Sequence, residues 1–225
     1  HSPVMVFEDC DIEAAAKLCA EGKFRNAGQV CISPTRFFVQ DSIHDRFLAL
    51  FKEQVEAVKV GDGLDEKVNM GPLVAERRID IMDGFVSDAV SNGAELLVGG
   101  SRIQSEGSFF APTLLQDVPD TARIMTEEPF GPIAPTARFS SLDEVIDRAN
   151  SLPFGLAAYA FTGSAKTAGV LKREIETGML AVNSLHVHSV ETPFGGLKFS
   201  GYGHEGGIEG LEVFLATRYS SEIYG

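Results

Sequence analysis

Cys31 stands in the run Gly22-Lys23-Phe24-Arg25-Asn26-Ala27-Gly28-Gln29-Val30-Cys31-Ile32-Ser33-Pro34. A small-residue turn ahead of a cysteine lets a substrate approach the sulfur, and nearby backbone N–H groups are then free to hold negative charge. That arrangement suits attack by a thiolate on a carbonyl carbon. The competing reading is a buried cysteine that serves as a small hydrophobe. A second run, Thr126-Glu127-Glu128-Pro129-Phe130-Gly131-Pro132-Ile133, sets two carboxylates beside an aromatic residue and a Gly-Pro entry to a strand. A carboxylate there can accept hydrogen bonds from ribose hydroxyls while the aromatic packs on a flat ring. The alternative is a helix end and a solvated turn.

A third run, Thr192-Pro193-Phe194-Gly195-Gly196-Leu197-Lys198-Phe199-Ser200-Gly201, holds a Gly-Gly turn able to project Phe194 into a cleft. Asn183-Ser184 closes a strand, and His186 and His188 follow. Their i, i+2 spacing is taken to turn the two rings to opposite faces, so both are assigned to a loop and no shared metal is expected. Cys10, Cys19 and Cys31 are too few and too unevenly placed for a disulfide framework or a zinc site.

The elements that must position these groups follow from periodicity. Pro3 to Phe7 reads as a short buried strand. Ile12, Ala15, Ala16, Cys19 and Ala20 mark one face of a helix, which places Cys19 in the core. Thr35 to Gln40 is β-rich; Asp41 or Ser42 can then cap a helix carrying Ile43, Phe47, Leu50, Phe51, Val55 and Val58 on one side. Ala75, Ile79, Met82, Val86 and Ala89 mark the next helix, and Glu95 to Val98 a strand. Gly99 to Phe110 reads as a loop or hairpin, and Ile133 to Phe139 as a strand. Ser141-Leu142-Asp143-Glu144 has capping-box spacing, Leu156 to Phe161 is a strand, Ser164 caps a helix, and Met179 to Val182 is a further strand. Strands alternating with helices describe βαβ units, hence an α/β fold of three αβα layers around a mainly parallel sheet. Val213 to Tyr224 reads as a β-prone tail that pairs with this domain or with another subunit.

The 225 residues carry a net charge of −13. Scattered Lys and Arg on an acidic chain argue against a nucleic-acid partner, because phosphate contact needs clustered cations. No apolar run approaches the ~20 residues of a membrane span and no signal-peptide pattern opens the chain. Free cysteines without a framework point to a reducing, cytoplasmic setting. His1-Ser2-Pro3-Val4 begins directly in a strand pattern, as if cut inside a longer protein.

Taken in order, Gly28-Gln29-Val30-Cys31, Glu127-Glu128-Pro129-Phe130-Gly131-Pro132 and Pro193-Phe194-Gly195-Gly196-Leu197-Lys198-Phe199-Ser200-Gly201 strongly resemble the aldehyde dehydrogenase superfamily, nearest to its succinate-semialdehyde dehydrogenase-like members. Ser2-Pro3-Val4-Met5-Val6 and Phe154-Gly155-Leu156-Ala157 fit as well, and the likeness covers the C-terminal half of such an enzyme. The resemblance implies that Cys31 is the catalytic thiol, forming a thiohemiacetal and then a thioester, with its own N–H as one oxyanion donor. It implies NAD or NADP as cofactor, Glu128 on the nicotinamide ribose and Phe130 beside the nicotinamide. Val30, Ile32, Phe194 and Ser189 would line the aldehyde pocket, and the tail would join subunits of a homo-oligomer. Residues 1–204 would form the catalytic domain and 205–225 a C-terminal helix and oligomerisation strand.

Some family parts have no counterpart here. The glutamate of a Glu-Leu-Gly-Gly motif, the dinucleotide-binding domain and the asparagine of the oxyanion hole would all lie upstream of His1. The resemblance therefore predicts a parent enzyme that oxidises an aldehyde, a short semialdehyde by the finer likeness, and 225 residues that do so negligibly alone. Two other readings are a silent oligomerisation or interaction module and a cysteine acyl-transferring enzyme without nicotinamide.

Overall fold

The computed structural model describes residues 1–103 and 106–225. Its strands are β1 (Ser2–Val6), β2 (Pro34–Gln40), β3 (Glu95–Val98), β4 (Thr113–Gln116), β5 (Ile133–Phe139), β6 (Phe154–Gly155), β7 (Ala157–Phe161), β8 (Met179–Val182) and β9 (Leu197–Lys198). Its helices are α1 (Ile12–Phe24), α2 (His44–Glu56), α3 (Arg77–Ser91), α4 (Arg123–Thr126), α5 (Leu142–Asn150), α6 (Ala165–Glu174) and α7 (Glu209–Glu212). Seven strands make one sheet in the order β3-β4-β5-β2-β1-β7-β8, while β6 and β9 form a separate ribbon. Within the sheet β3 runs antiparallel to β4 and the other pairings are parallel. The α/β architecture expected from the alternation of strand and helix is therefore present.

β1 and β7 are buried at every residue, so both faces of the sheet centre are covered by flanking helices. Phe37 of β2 meets Phe51 of α2 at 5.2 Å between ring centroids, and Phe47 meets Phe51 at 5.4 Å. These contacts seat α2 beside the strand that follows Cys31. Cys19 is wholly buried on α1.

Helix starts follow local chemistry. Asp11 accepts the Ala14 N–H at 3.0 Å, and Ser164 accepts the Thr167 N–H at 3.1 Å. Ser141 accepts the Glu144 N–H at 3.3 Å, but the Glu144 carboxylate reaches back one residue further than a capping box, to the Ser140 N–H at 2.9 Å. α2 departs from expectation: residues Asp41–Ile43 form a 3-10 turn, and the helix opens at His44 without a side-chain cap. Ser42 instead donates to Glu8 at 2.6 Å. The Gly99–Phe110 stretch is closed by an antiparallel bridge between Arg102 and Phe110, with Gln104 and Ser105 lying outside the described residues.

The tail does not pair with this domain. After the single turn of α7, residues 213–225 form no strand, and Phe214, Tyr219 and Tyr224 are exposed. β propensity alone does not make a strand, which needs a ladder partner, and the described residues of this chain offer the tail none. No helix among the described residues is long and apolar enough to cross a membrane.

Candidate active site

Cys31 is exposed on the turn between α1 and β2. Three successive residues there take left-handed backbone: Asn26 (φ 51°), Ala27 (φ 54°) and Gly28 (φ 71°). Such conformations persist only where their surroundings enforce them. The Asn26 side chain donates to the Gln29 carbonyl at 3.0 Å, and the Gln29 amide donates to the Asn26 carbonyl at 3.1 Å. Gln29 also accepts the Val74 N–H at 2.9 Å, which ties the turn to the chain ahead of α3. Ser33 N–H closes onto the Val30 carbonyl at 2.9 Å, so the backbone loops around the cysteine. Among the described residues no protein acceptor takes the N–H of Cys31 or Ile32. Those amides are available to an oxyanion.

The other thiols are poorer nucleophiles. Burial, helped by Asp9 and Asp11, pushes Cys10 up to about 11, and burial raises Cys19 well above the ordinary range.

Gly28 brings the second run to the first. A Cβ on Gly28 would lie 2.2 Å from the Gly131 carbonyl oxygen, so the two backbones touch. The two carboxylates of that run part company. Glu127 is held by Arg123, four residues earlier, in a bidentate pair at 3.0 and 2.9 Å. Glu128 stays partly open, its side chain 35% exposed and its Oε1 3.8 Å from the backbone nitrogen of His1. Phe130 takes φ 44° and is 37% exposed. Arg78 of α3 donates to the carbonyls of both Pro129 and Phe130, clamping that strained stretch. An open carboxylate beside an outward aromatic ring fits the diol and flat ring of a nicotinamide riboside.

Val30 and Ile32 line a cavity of about 50 Å³ with Arg25, Tyr159 and Leu185. Leu185 reaches it from the loop after β8 and packs on Gly22, where an added Cβ would lie 2.2 Å from its Cδ1. Ser189 and Phe194 do not line this cavity. The Ser189 N–H donates to Thr192 Oγ1 at 2.9 Å, and Phe194 exchanges backbone hydrogen bonds of 2.7 Å with Glu205. His186 and His188 do not point apart. Alternate residues of an extended chain share a face, and their rings stack at 5.7 Å, with His188 edge-on to Phe194 at 6.1 Å.

Three positioning groups escape a reading by motif. Tyr159 of β7 donates its hydroxyl to the Ile32 carbonyl at 2.6 Å, Arg78 clamps the Phe130 carbonyl, and Arg25 lines the cavity. Only Arg25 had a local signal, a cation six residues before Cys31 in an otherwise uncharged turn. Tyr159→Phe leaves the Ile32 carbonyl without this partner, and urea unfolding is expected to show a loss of about 1–3 kcal/mol. A loss below about 0.5 kcal/mol would mean that water replaces the phenol and that Tyr159 does not hold the turn.

Residues 1–219 match the Aldehyde dehydrogenase family. The chain belongs to that family. It is 45% identical over 219 residues to 4-(hydroxymethyl)benzenesulfonate dehydrogenase TsaD1 of Comamonas testosteroni, a match covering 97% of this chain and 45% of the relative. It is 38% identical to the succinate-semialdehyde dehydrogenase [NADP(+)] GabD of Escherichia coli K12, again over 97% of this chain and 45% of that protein. Among solved structures, the succinate-semialdehyde dehydrogenase of Burkholderia pseudomallei superposes with a TM-score of 0.92 at 36% identity, over 94% of this chain and 44% of that one. The chain spans about half the length of these aldehyde dehydrogenase relatives.

Proposed function

We propose that this chain is the thiol-bearing half of an NAD(P)-dependent aldehyde dehydrogenase that oxidises a short semialdehyde to the carboxylic acid. The observation that carries the reading is the Gly28–Gly131 contact, which seats an exposed Cys31 beside the Glu128–Phe130 segment. In this reading the Cys31 sulfur adds to the aldehyde carbon, and the free N–H groups at residues 31 and 32 supply this chain's part of the oxyanion site, the family's asparagine supplying the rest. Glu128 would accept two ribose hydroxyls and Phe130 would pack beside the nicotinamide. The cofactor, when bound, supplies the acceptor of the hydride that leaves the substrate carbon. Val30 and Ile32 would contact the aldehyde end, Arg25 would attract the distal carboxylate of a semialdehyde, and Phe194 and Ser189 would close the pocket from the loop after β8. The name of the GabD relative supports the acidic substrate.

The 225 residues alone are expected to turn over negligibly, since a lost oxyanion donor by itself lowers kcat about 100- to 1000-fold. Residues 205–225 would form the oligomerisation element, their exposed aromatics covered by another subunit in the cytoplasm.

The test is selective alkylation. One equivalent of iodoacetamide near pH 8 is expected to label Cys31 and leave Cys10 and Cys19 free, read by peptide mass spectrometry. In the longer enzyme that labelling should abolish NAD(P)-dependent aldehyde oxidation. Labelling that favours Cys10, or full activity with Cys31 blocked, overturns the assignment.

A further inference from the structure

Tyr159 carries the one side-chain polar atom of β7, whose sequence is Ala157-Ala158-Tyr159-Ala160-Phe161. The residue is 1% exposed, and a phenylalanine would fill the same space with no hydroxyl to satisfy. That hydroxyl leaves the strand and reaches the Cys31 turn, where it donates to the Ile32 carbonyl at 2.6 Å. Its base is firm, because Tyr159 pairs with Val4 of β1 on one side and with Ala181 of β8 on the other.

The carbonyl it meets belongs to the peptide that joins Ile32 to Ser33. The N–H of the same peptide, on Ser33, bonds the Val30 carbonyl at 2.9 Å. A peptide unit is flat and rigid, so holding both of its polar groups fixes the tilt of the turn. The bond from residue 33 back to residue 30 closes a β-turn with Cys31 and Ile32 at its centre. The N–H groups of those two residues lie outside the closing bond, and no protein acceptor among the described residues takes them. Burial pushes the phenol up, so it remains a donor across the neutral range.

We propose that Tyr159 is the positioning residue of the oxyanion site: by pinning the Ile32 carbonyl, its hydroxyl aims the Cys31 and Ile32 N–H groups at the oxygen of a carbonyl under attack by the sulfur. This rests on the reading of Cys31 given above and adds the group that sets the direction of the donors. Oxyanion donors act only where they are held close to the place the charge will occupy, and a turn on the protein surface needs a tie to the sheet to be held so. Tyr159 acts through the turn, and only on steps in which a carbonyl oxygen gains charge.

The test compares two electrophiles on the 225-residue chain, as wild type, Tyr159→Phe and Cys31→Ser. With p-nitrophenyl acetate the sulfur bonds the acetyl carbon through a tetrahedral oxyanion. The p-nitrophenolate then leaves with the electron pair of the broken ester bond, as a coloured burst of one equivalent per chain. With iodoacetamide the same sulfur displaces iodide, and no oxyanion forms. Thiolate fraction and access govern both rates, so their ratio isolates the oxyanion donors. Tyr159→Phe is expected to slow the burst about tenfold, while alkylation of Cys31, followed by peptide mass spectrometry, stays within about twofold of wild type. The variant lacks a single oxygen and keeps the ring, and its urea transition checks that it is folded in the assay. Equal slowing of both reactions, or slowing of neither, overturns the positioning role and leaves Cys31 as the nucleophile. A wild type without a burst, or a Cys31→Ser chain with the wild-type burst, removes the thiol reading and this inference with it.

Discussion

Gly28→Ala is expected to remove about 3 kcal/mol of folding stability, a drop of roughly 10 °C in melting temperature for a chain of this size. Two effects combine. At φ 71° an alanine pays about 1 kcal/mol for left-handed backbone. Its Cβ would also start 2.2 Å from the Gly131 oxygen and 2.7 Å from the Gly131 carbonyl carbon, so one backbone must retreat by about 1 Å. Neither can do so freely: Gln29 ties one to the chain ahead of α3, and Arg78 clamps the other. The substitution should therefore part the Cys31 turn from Glu128 and Phe130. Calorimetry together with the rate of Cys31 alkylation checks it. A stability change below 1 kcal/mol with an unaltered alkylation rate would mean that the two runs are not rigidly joined.

That junction was only half legible beforehand. The Cys31 turn, the Glu128 run and the Phe194 run each announce themselves because their chemistry is local: glycines, a cysteine and an acid within a dozen residues. The contact that joins the first two is between residues 28 and 131, and nothing in either run specifies it. Strands and the Ser141 and Ser164 caps were readable for the same local reason, whereas β1 between β2 and β7 is a long-range outcome. The full burial of Lys23 in α1 did carry a signal. Cys19 and Ala20 continue at i+3 and i+4 to Lys23 and Phe24, so the lysine falls on the buried stripe of α1. Arg123, four residues before Glu127, likewise marked that acid as the outward one. Tyr159 gave no such hint, because a tyrosine on a buried strand is ordinary until its hydroxyl is seen to meet the Ile32 carbonyl. The tail forms no strand within the single chain because β propensity states how a segment pairs without supplying the partner.

Gly178→Ala should act on the opposite side of the site. A Cβ at residue 178, just before β8, would lie 1.9 Å from the Gly195 carbonyl oxygen and 3.1 Å from the Gly196 Cα, so the Phe194 turn must lift from the end of the sheet. Its other ties include the β6–β9 ladder, the Phe199 N–H on the Pro153 carbonyl at 2.9 Å and the Lys198 amine, which donates to the Asn150 and Leu152 carbonyls at 2.9 and 3.0 Å, while Phe194 and Glu205 pair with each other. Lys198 lies beyond the glycine pair, so the Phe194 end should open first. Overpacking of this kind costs about 1–3 kcal/mol, and here it falls on a loop rather than on the core. Hydrogen exchange at Phe194 and Glu205 is expected to accelerate at least tenfold while amides of β1 and β2 keep their protection. Gly28→Ala should do the reverse, weakening the sheet centre and sparing the Phe194 turn. On the role proposed for Phe194, a displacement of about 1 Å there would lower kcat/KM of the longer enzyme by up to about 100-fold. Unchanged exchange at Phe194 in Gly178→Ala would show that the third run is not seated on the sheet by this contact, and would leave Phe194 without a fixed place in the pocket.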